Sequence, residues 1–203
     1  MPLQRDGART RRRIIDAAEH LMRTLGLARV TTKEIAREAG CSEAALYRHF
    51  TSKEELFVTV LQERLPGLSA LLAELTNDPG DRAIEDCLAE IARTATLFYE
   101  ESMPIGLSLF AEPSLLERHR ERLRELDAGP HKLLEALAGY LRALRAGGRI
   151  RADADPDSAA ALLLGACYQR AFLRQFMGPA ASPPPPLETF AAGLARTVLG
   201  GIA

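Results

Sequence analysis

Several things are missing from this 203-residue chain. Its three cysteines, Cys41, Cys87 and Cys167, are odd in number, far apart, and fall into no CxxC or Cys/His ligand spacing. Neither a disulfide framework nor a metal site is indicated, and each cysteine reads as a small buried hydrophobe. The opening stretch MPLQRDGARTRRR has no apolar signal core, and no apolar run approaches the ~18 residues a membrane span requires. A cytoplasmic protein with no membrane partner is expected. Catalytic signatures are lacking too: there is no HExxH, GxSxG, GxGxxG or P-loop, and His20, His49, His119 and His131 are scattered. The expectation is a non-enzyme with no catalytic residue and no cofactor.

The chain has no strong excess of charge of either sign. The net charge of −1 argues against a general nucleic-acid glue. Its distribution is uneven: residues 1–57 hold 11 Lys and Arg against 8 Asp and Glu, and residues 58–203 hold 15 against 19. Arg5, Arg9, Arg11, Arg12 and Arg13 face only Asp6 in the first 13 residues. Such a basic end is either a solvated terminus or a phosphate-seeking arm. β-Branched residues are few, while Ala and Leu dominate, and these lose little rotamer freedom in a helix. No strand and no internal repeat is apparent, so the expected fold is all-α.

The periodicity predicts a first helix from about Ala8 to Leu25, with Ile14, Ile15, Ala18, Leu21, Met22 and Leu25 at helical spacing and Gly26 ending it. Thr31 and Glu34 form a capping-box pattern that opens a second helix over about 32–39, stopped by Gly40. Ser42 is the N-cap of a third, about 43–50, in which Leu46 and Phe50 make an i, i+4 core pair. Ser52 and Glu55 suggest another capping box, opening a fourth helix that runs up to Pro66.

Further on, Ile84, Leu88, Ile91, Ala95 and Phe98 form a stripe, and MPIGLSLFAEPSLLERHRERL reads as two shorter helices broken by Pro104 and Pro113. An amphipathic helix runs from Pro130 to Gly147. Asp155 caps the next, with Pro156 at its first position. The proline run 183–186 is a stiff connector before a final helix.

Three helices in about 50 residues, with a three-residue GCS turn between the second and third, match the helix-turn-helix pattern. With Leu46 and Phe50 inward, Glu43, Ala44, Ala45, Tyr47, Arg48 and His49 should face outward. Small residues followed by long polar ones suit entry into a DNA groove.

The segment VTTKEIAREAGCSEAALYRHFTSKEEL, with an Arg-rich helix before it and an all-helical remainder, resembles the TetR family of transcriptional regulators over residues 8 to 57. The resemblance implies a helix-turn-helix DNA-binding domain over 1–57 and a larger helical ligand-binding and dimerisation domain over 58–203. It implies a homodimer, usually a repressor, that binds a double-stranded, palindromic operator and is released by a small molecule. By position, Thr32, Tyr47, His49 and Lys53 are expected on the DNA backbone, and Glu43, Ala44, Ala45 and Arg48 are candidates for base readout. Cys41 stands where valine is usual in the family, which would make the turn open to oxidation.

Dimerisation is expected through the last two long helices, about 156–177 and 187–199, with Ala161, Gly165, Arg170, Phe190 and Leu194 in the interface. The first of these is apolar nearly all round and needs cover on more than one side. Phe98, Met103, Phe110, His131, Tyr140, Tyr168 and Phe172 are the candidate lining of a pocket for an apolar or amphipathic ligand. A competing reading retains DNA binding but replaces the small molecule by a recruited protein partner, as in nucleoid-occlusion relatives.

Overall fold

The structure, a computed structural model, describes residues 3–63, 67–77, 82–178 and 184–202. Every regular element among them is helical. In chain order they are α1 (Leu3–Leu25), α2 (Thr32–Glu38), α3 (Glu43–Tyr47), α4 (Lys53–Glu63), α5 (Leu68–Asn77), α6 (Ile84–Gly106), a 3₁₀ segment (Leu107–Ala111), α7 (Pro113–Glu125), α8 (Pro130–Ala146), α9 (Pro156–Met177) and α10 (Leu187–Ile202). No single helix among the described residues is long and apolar enough to cross a membrane.

The chain forms two compact units: Met1–Leu65 with Glu101–Asp127, and Pro66–Glu100 with Ala128–Ala203. The N-terminal unit thus takes in 101–127 as well as the 1–57 assigned to it from sequence. The reason is burial. Ile105, Leu109 and Leu115 join Ile14, Ile15, Met22, Ile35, Leu46, Phe50, Leu56 and Phe57 in one hydrophobic cluster. Each such side chain contributes roughly 1.5–3 kcal/mol when fully buried, so three of them hold that segment to the first unit.

α1 begins at Leu3, five residues before the expected start. Asp6 lies in its first turn, where a negative charge complements the helix dipole. The arginine-rich end is therefore helix. Arg11 makes a two-pronged pair with Glu63 at 3.0 and 2.6 Å, and its guanidinium lies 5.4 Å from the centre of the Phe50 ring. One cation so ties α1 to the end of α4 and to Phe50 in the link between α3 and α4.

Ser52 caps α4 by accepting from the Glu55 N–H at 3.0 Å, but the Glu55 carboxylate reaches back to the Thr51 N–H at 2.7 Å. The reciprocal half of the expected capping box is thus displaced by one residue. The predicted end of this helix, at 64–66, lies outside the described residues. Pro104 does not break α6, which continues to Gly106. A proline there removes only the bond to the carbonyl four residues back, that of Glu100. That missing bond falls where α6 passes from the second unit to the first. Pro113 does start a helix, at the N-terminal position that suits it.

The second unit is built on α5, α8, α9 and α10 with the first part of α6. Leu72, Leu88, Ile91, Leu137, Leu141, Leu163 and Ala195 are among its fully enclosed core. Asp155 caps α9 as expected, its Oδ1 accepting from the Asp157 and Ser158 N–H groups at 3.1 Å each. Of the proline run, Pro183 lies outside the described residues. Pro184, Pro185 and Pro186 are exposed immediately before α10.

Candidate nucleic-acid interface

The α2–α3 pair is closed by local hydrogen bonds at each end. Thr31 caps α2 in a complete capping box with Glu34. At the other end, Gly40 takes φ +61°, a left-handed value that glycine adopts without penalty. Its N–H bonds to the Arg37 carbonyl at 3.1 Å, and the Cys41 N–H bonds to the Ala36 carbonyl at 2.9 Å. That is a Schellman turn. Ser42 then caps α3, accepting from Ala45 N–H at 3.1 Å. The guanidinium of Arg13 on α1 donates to the carbonyls of Ala39 and Gly40, the latter at 3.0 Å. Arg13 therefore stabilises the turn instead of sitting loose for a phosphate.

Leu46 and Phe50 are buried, as the i, i+4 pairing predicts. α3 stops at Tyr47, three residues short of the expected end, with Arg48 as its C-cap. Glu43, Ala44 and Arg48 are exposed, Tyr47 is 50% exposed, and His49 is half-buried. Ala45 departs from the outward set. It is only 8% exposed, because it lies beside Leu46 on the inward side of the helix. It is buried with Leu46, so it cannot meet a base edge.

Lys53 also departs from expectation. Its ammonium donates to the carbonyls of Leu27 at 2.8 Å and Val30 at 2.9 Å. Two of its three donors thus close the loop between α1 and α2, and burial pushes its pKa below the ordinary lysine value, with Glu54 opposing. Thr32 is tied locally as well: its hydroxyl donates to Glu43 Oε1 at 2.6 Å and lies 3.3 Å from the Tyr47 hydroxyl. A groove of about 480 Å3 beside this cluster is lined by Lys33, Glu34, Ala36, Arg37, Cys41 and Glu43. Lys33 and Arg37, exposed one turn apart on α2, were not singled out from sequence. Their i, i+4 spacing was the available signal. Cys41 is partly exposed, whereas Cys87 and Cys167 are buried. Burial pushes the Cys167 thiol up to about 11.

In the second unit the expected pocket residues do not form one group. Met103 and Phe110 belong to the first unit, and Phe110 is 71% exposed. His131 is exposed as well. Tyr140 is fully enclosed, and its hydroxyl has no hydrogen-bond partner among the described residues. Burial pushes its pKa up. Phe98 and Tyr168 meet through Tyr99, edge-to-face at 5.5 and 5.4 Å, a residue the sequence pattern did not mark. Phe172 stacks on Phe176 at 5.4 Å.

Of the expected interface residues, Ala161 and Gly165 are exposed on α9, while Phe190 and Leu194 of α10 pack partly on the core. Arg170 is turned inward and only 9% exposed. It donates to the Pro185 carbonyl at 2.8 Å and lies 4.8 Å over the Phe190 ring, so it holds the start of α10 within its own chain. Leu162, Leu173 and Phe176, all exposed, extend the apolar α9 face beyond the residues expected.

Two short helices joined by a Schellman turn, braced by a third and presenting polar side chains from the second, define a helix-turn-helix DNA-binding protein. Residues 14–60 match the family of bacterial regulatory proteins, tetR family, and residues 117–198 match the AefR-like transcriptional repressor C-terminal domain. The nucleoid occlusion factor SlmA of Alteromonas mediterranea is 30% identical over 149 residues, 70% of this chain and 73% of that protein. The uncharacterized HTH-type transcriptional regulator YvkB of Bacillus subtilis is 26% identical over 150 residues, 74% of this chain and 75% of its own length. A crystal structure from Mesorhizobium loti assigned to the TetR family superposes with a TM-score of 0.74 at 25% identity, covering 97% of this chain and 98% of the other. The chain belongs to the TetR family: it is a DNA-binding regulator of transcription.

Proposed function

We propose that the protein is a homodimeric, cytoplasmic repressor whose two helix-turn-helix modules read a palindromic operator. The observation that carries this reading is the exposed face of α3, where Glu43, Ala44, Tyr47 and Arg48 stand outside a module whose turn is fixed by backbone hydrogen bonds. Arg48 is suited to fork onto a guanine, Glu43 to accept from a base amine, and Ala44 to meet a thymine methyl. Thr32, Tyr47 and His49 take the phosphates, while Lys53 works one step back by holding the α1–α2 loop that leads into Thr32. Two copies pair through the apolar faces of α9 and α10, with Ala161 and Gly165 allowing close approach. The second unit binds a small apolar or amphipathic compound near Phe98, Tyr168 and Phe172, favouring a conformer that fits the operator less well.

Selection from a random duplex pool tests the reading. The expected product is a two-fold symmetric sequence with half-sites roughly 34–36 Å apart or a multiple of that. A pool that yields no preferred sequence at moderate salt, or a protein that stays monomeric at micromolar concentration, defeats it. A second reading, recruitment of a protein partner to many DNA sites, is supported by the likeness to a nucleoid occlusion factor. Genome-wide capture separates the two: a few promoter sites fit the repressor, and sites dispersed along the chromosome fit the recruiter.

A further inference from the structure

The hydrogen-bonded cluster of Thr32, Glu43 and Tyr47 has a fixed direction. A carboxylate only accepts, so the 2.6 Å contact between Thr32 Oγ and Glu43 Oε1 commits the Thr32 proton to Glu43. Thr32 Oγ then has only acceptor capacity left, and the 3.3 Å contact to the Tyr47 hydroxyl runs from tyrosine to threonine. The relay is therefore Tyr47 to Thr32 to Glu43. Both hydroxyls assigned to phosphate in the proposed function have their protons committed within the cluster, and in the free protein the Glu43 carboxylate is the acceptor at its end.

We infer that Glu43 is a specificity-determining residue that competes internally with the DNA backbone. A duplex that offers Glu43 a donor, the exocyclic amine of cytosine or adenine in the major groove, draws the carboxylate off Thr32. The Thr32 and Tyr47 hydroxyls then turn to the phosphates. A duplex that places no such amine within reach of Glu43 leaves it on Thr32, a carboxylate set among the like charges of the phosphates, and both hydroxyl contacts are withheld. Base readout and backbone contact are thereby coupled through one chain of hydrogen bonds. The inference rests on the proposed reading of α3 as the DNA-facing helix.

The test uses the full-length protein and two fluorescent duplexes of about 30 base pairs, long enough for two half-sites. One is the sequence recovered by selection and the other is a scramble of the same composition. Glu43→Ala is expected to bind the scramble about tenfold more tightly, the scale of one hydrogen bond to a charged group. It should gain little on the selected duplex, so that the preference between them falls by a similar factor. Glu43→Gln, which retains size and an acceptor but loses the charge, should fall between wild type and Glu43→Ala. In a Thr32→Val background, the gain from Glu43→Ala should shrink by at least about threefold, because contacting residues are not additive.

An equal gain in both backgrounds overturns the inference, since simple charge repulsion would then suffice. An unchanged preference between the duplexes overturns it as well. If the wild type itself prefers no sequence, the proposed function fails together with the inference. If wild type prefers a sequence and only the Glu43 pattern is missing, the inference alone fails.

Discussion

α3 and α9 each leave one face uncovered by their own chain, and the two faces have opposite chemistry. On α3 the exposed side chains are Glu43, Ala44 and Tyr47, with Arg48 at the cap. On α9 they include Ala161, Leu162, Leu173 and Phe176, with the bare backbone of Gly165 among them; Gly165, Leu173 and Phe176 lie three, eleven and fourteen residues beyond Leu162. A charged and polar face binds by electrostatics and weakens with salt. An apolar face binds by burial, which is far less sensitive to salt. The two faces are thus separable by ionic strength alone. The α9 face is expected to hold a dimer together at salt concentrations where the α3 face has let go of DNA.

The comparison breaks most sharply at Leu162, which is 67% exposed. Leu162→Glu would place an unpaired carboxylate in the middle of an apolar contact, a change worth at least ~3 kcal/mol. The expected outcome in sedimentation is a monomer at micromolar concentration, with the melting transition of the protein preserved. Loss of operator binding should follow, since a single module makes too few contacts. A Leu162→Glu protein that remains dimeric would move the interface off α9.

Two cations sharpen the α3 side of the comparison. Arg48 is exposed and lies at the C-cap of α3, so Arg48→Ala should cost about 1–3 kcal/mol at one base pair and relax preference there. Uniform weakening across sequences would reassign it to the phosphate backbone. Lys53 bears the same charge and is committed elsewhere. Lys53→Met should leave the log–log slope of affinity against salt unchanged, because no phosphate contact is lost. Its cost should appear in the thermal stability of the first unit, at about 1–3 kcal/mol for two carbonyls left without donors. A salt slope flattened by about one unit would restore Lys53 to the DNA backbone.

These residues also mark how far the sequence could be read. The caps at Thr31, Ser42 and Asp155 were legible because each is a short-range pattern whose donors lie within three residues. The core pair Leu46 and Phe50 was legible for the same reason. Lys53 was not, because its acceptors, Leu27 and Val30, lie 26 and 23 residues away and no local rule connects them. Arg170 was misread similarly: its partners, Pro185 and Phe190, come from the next helix and its approach. Ala45 failed through helix length, since a five-residue helix offers too short a stretch for periodicity to assign faces. The division of α6 between two units was hidden because its apolar stripe runs on without interruption.

His119 gives the smallest expected effect and tests the first unit from its inner side. It lies on α7, is buried, and its ring centre is 5.0 Å from that of Phe57 on α4. Its Nδ1 has no hydrogen-bond partner among the described residues. Burial holds its pKa below the ordinary imidazole value of 6.5, with the Glu54 charge opposing. The folded state therefore prefers the neutral ring, and the unfolded chain binds the proton more readily. Stability should be full above pH 6.5 and should decline as pH falls from there through the lower folded value. His119→Phe retains a ring against Phe57 and removes the titration. The variant should lose part of the drop in melting temperature between neutral pH and pH 5, a window above that of the carboxylates Glu54 and Glu55, which the fold holds below the ordinary value of 4.5. The same experiment should leave the dimer unaltered, since α9 carries no histidine. If His119→Phe and wild type melt in parallel across the window, the ring is not held neutral, and the contact between α4 and α7 must admit its charged form.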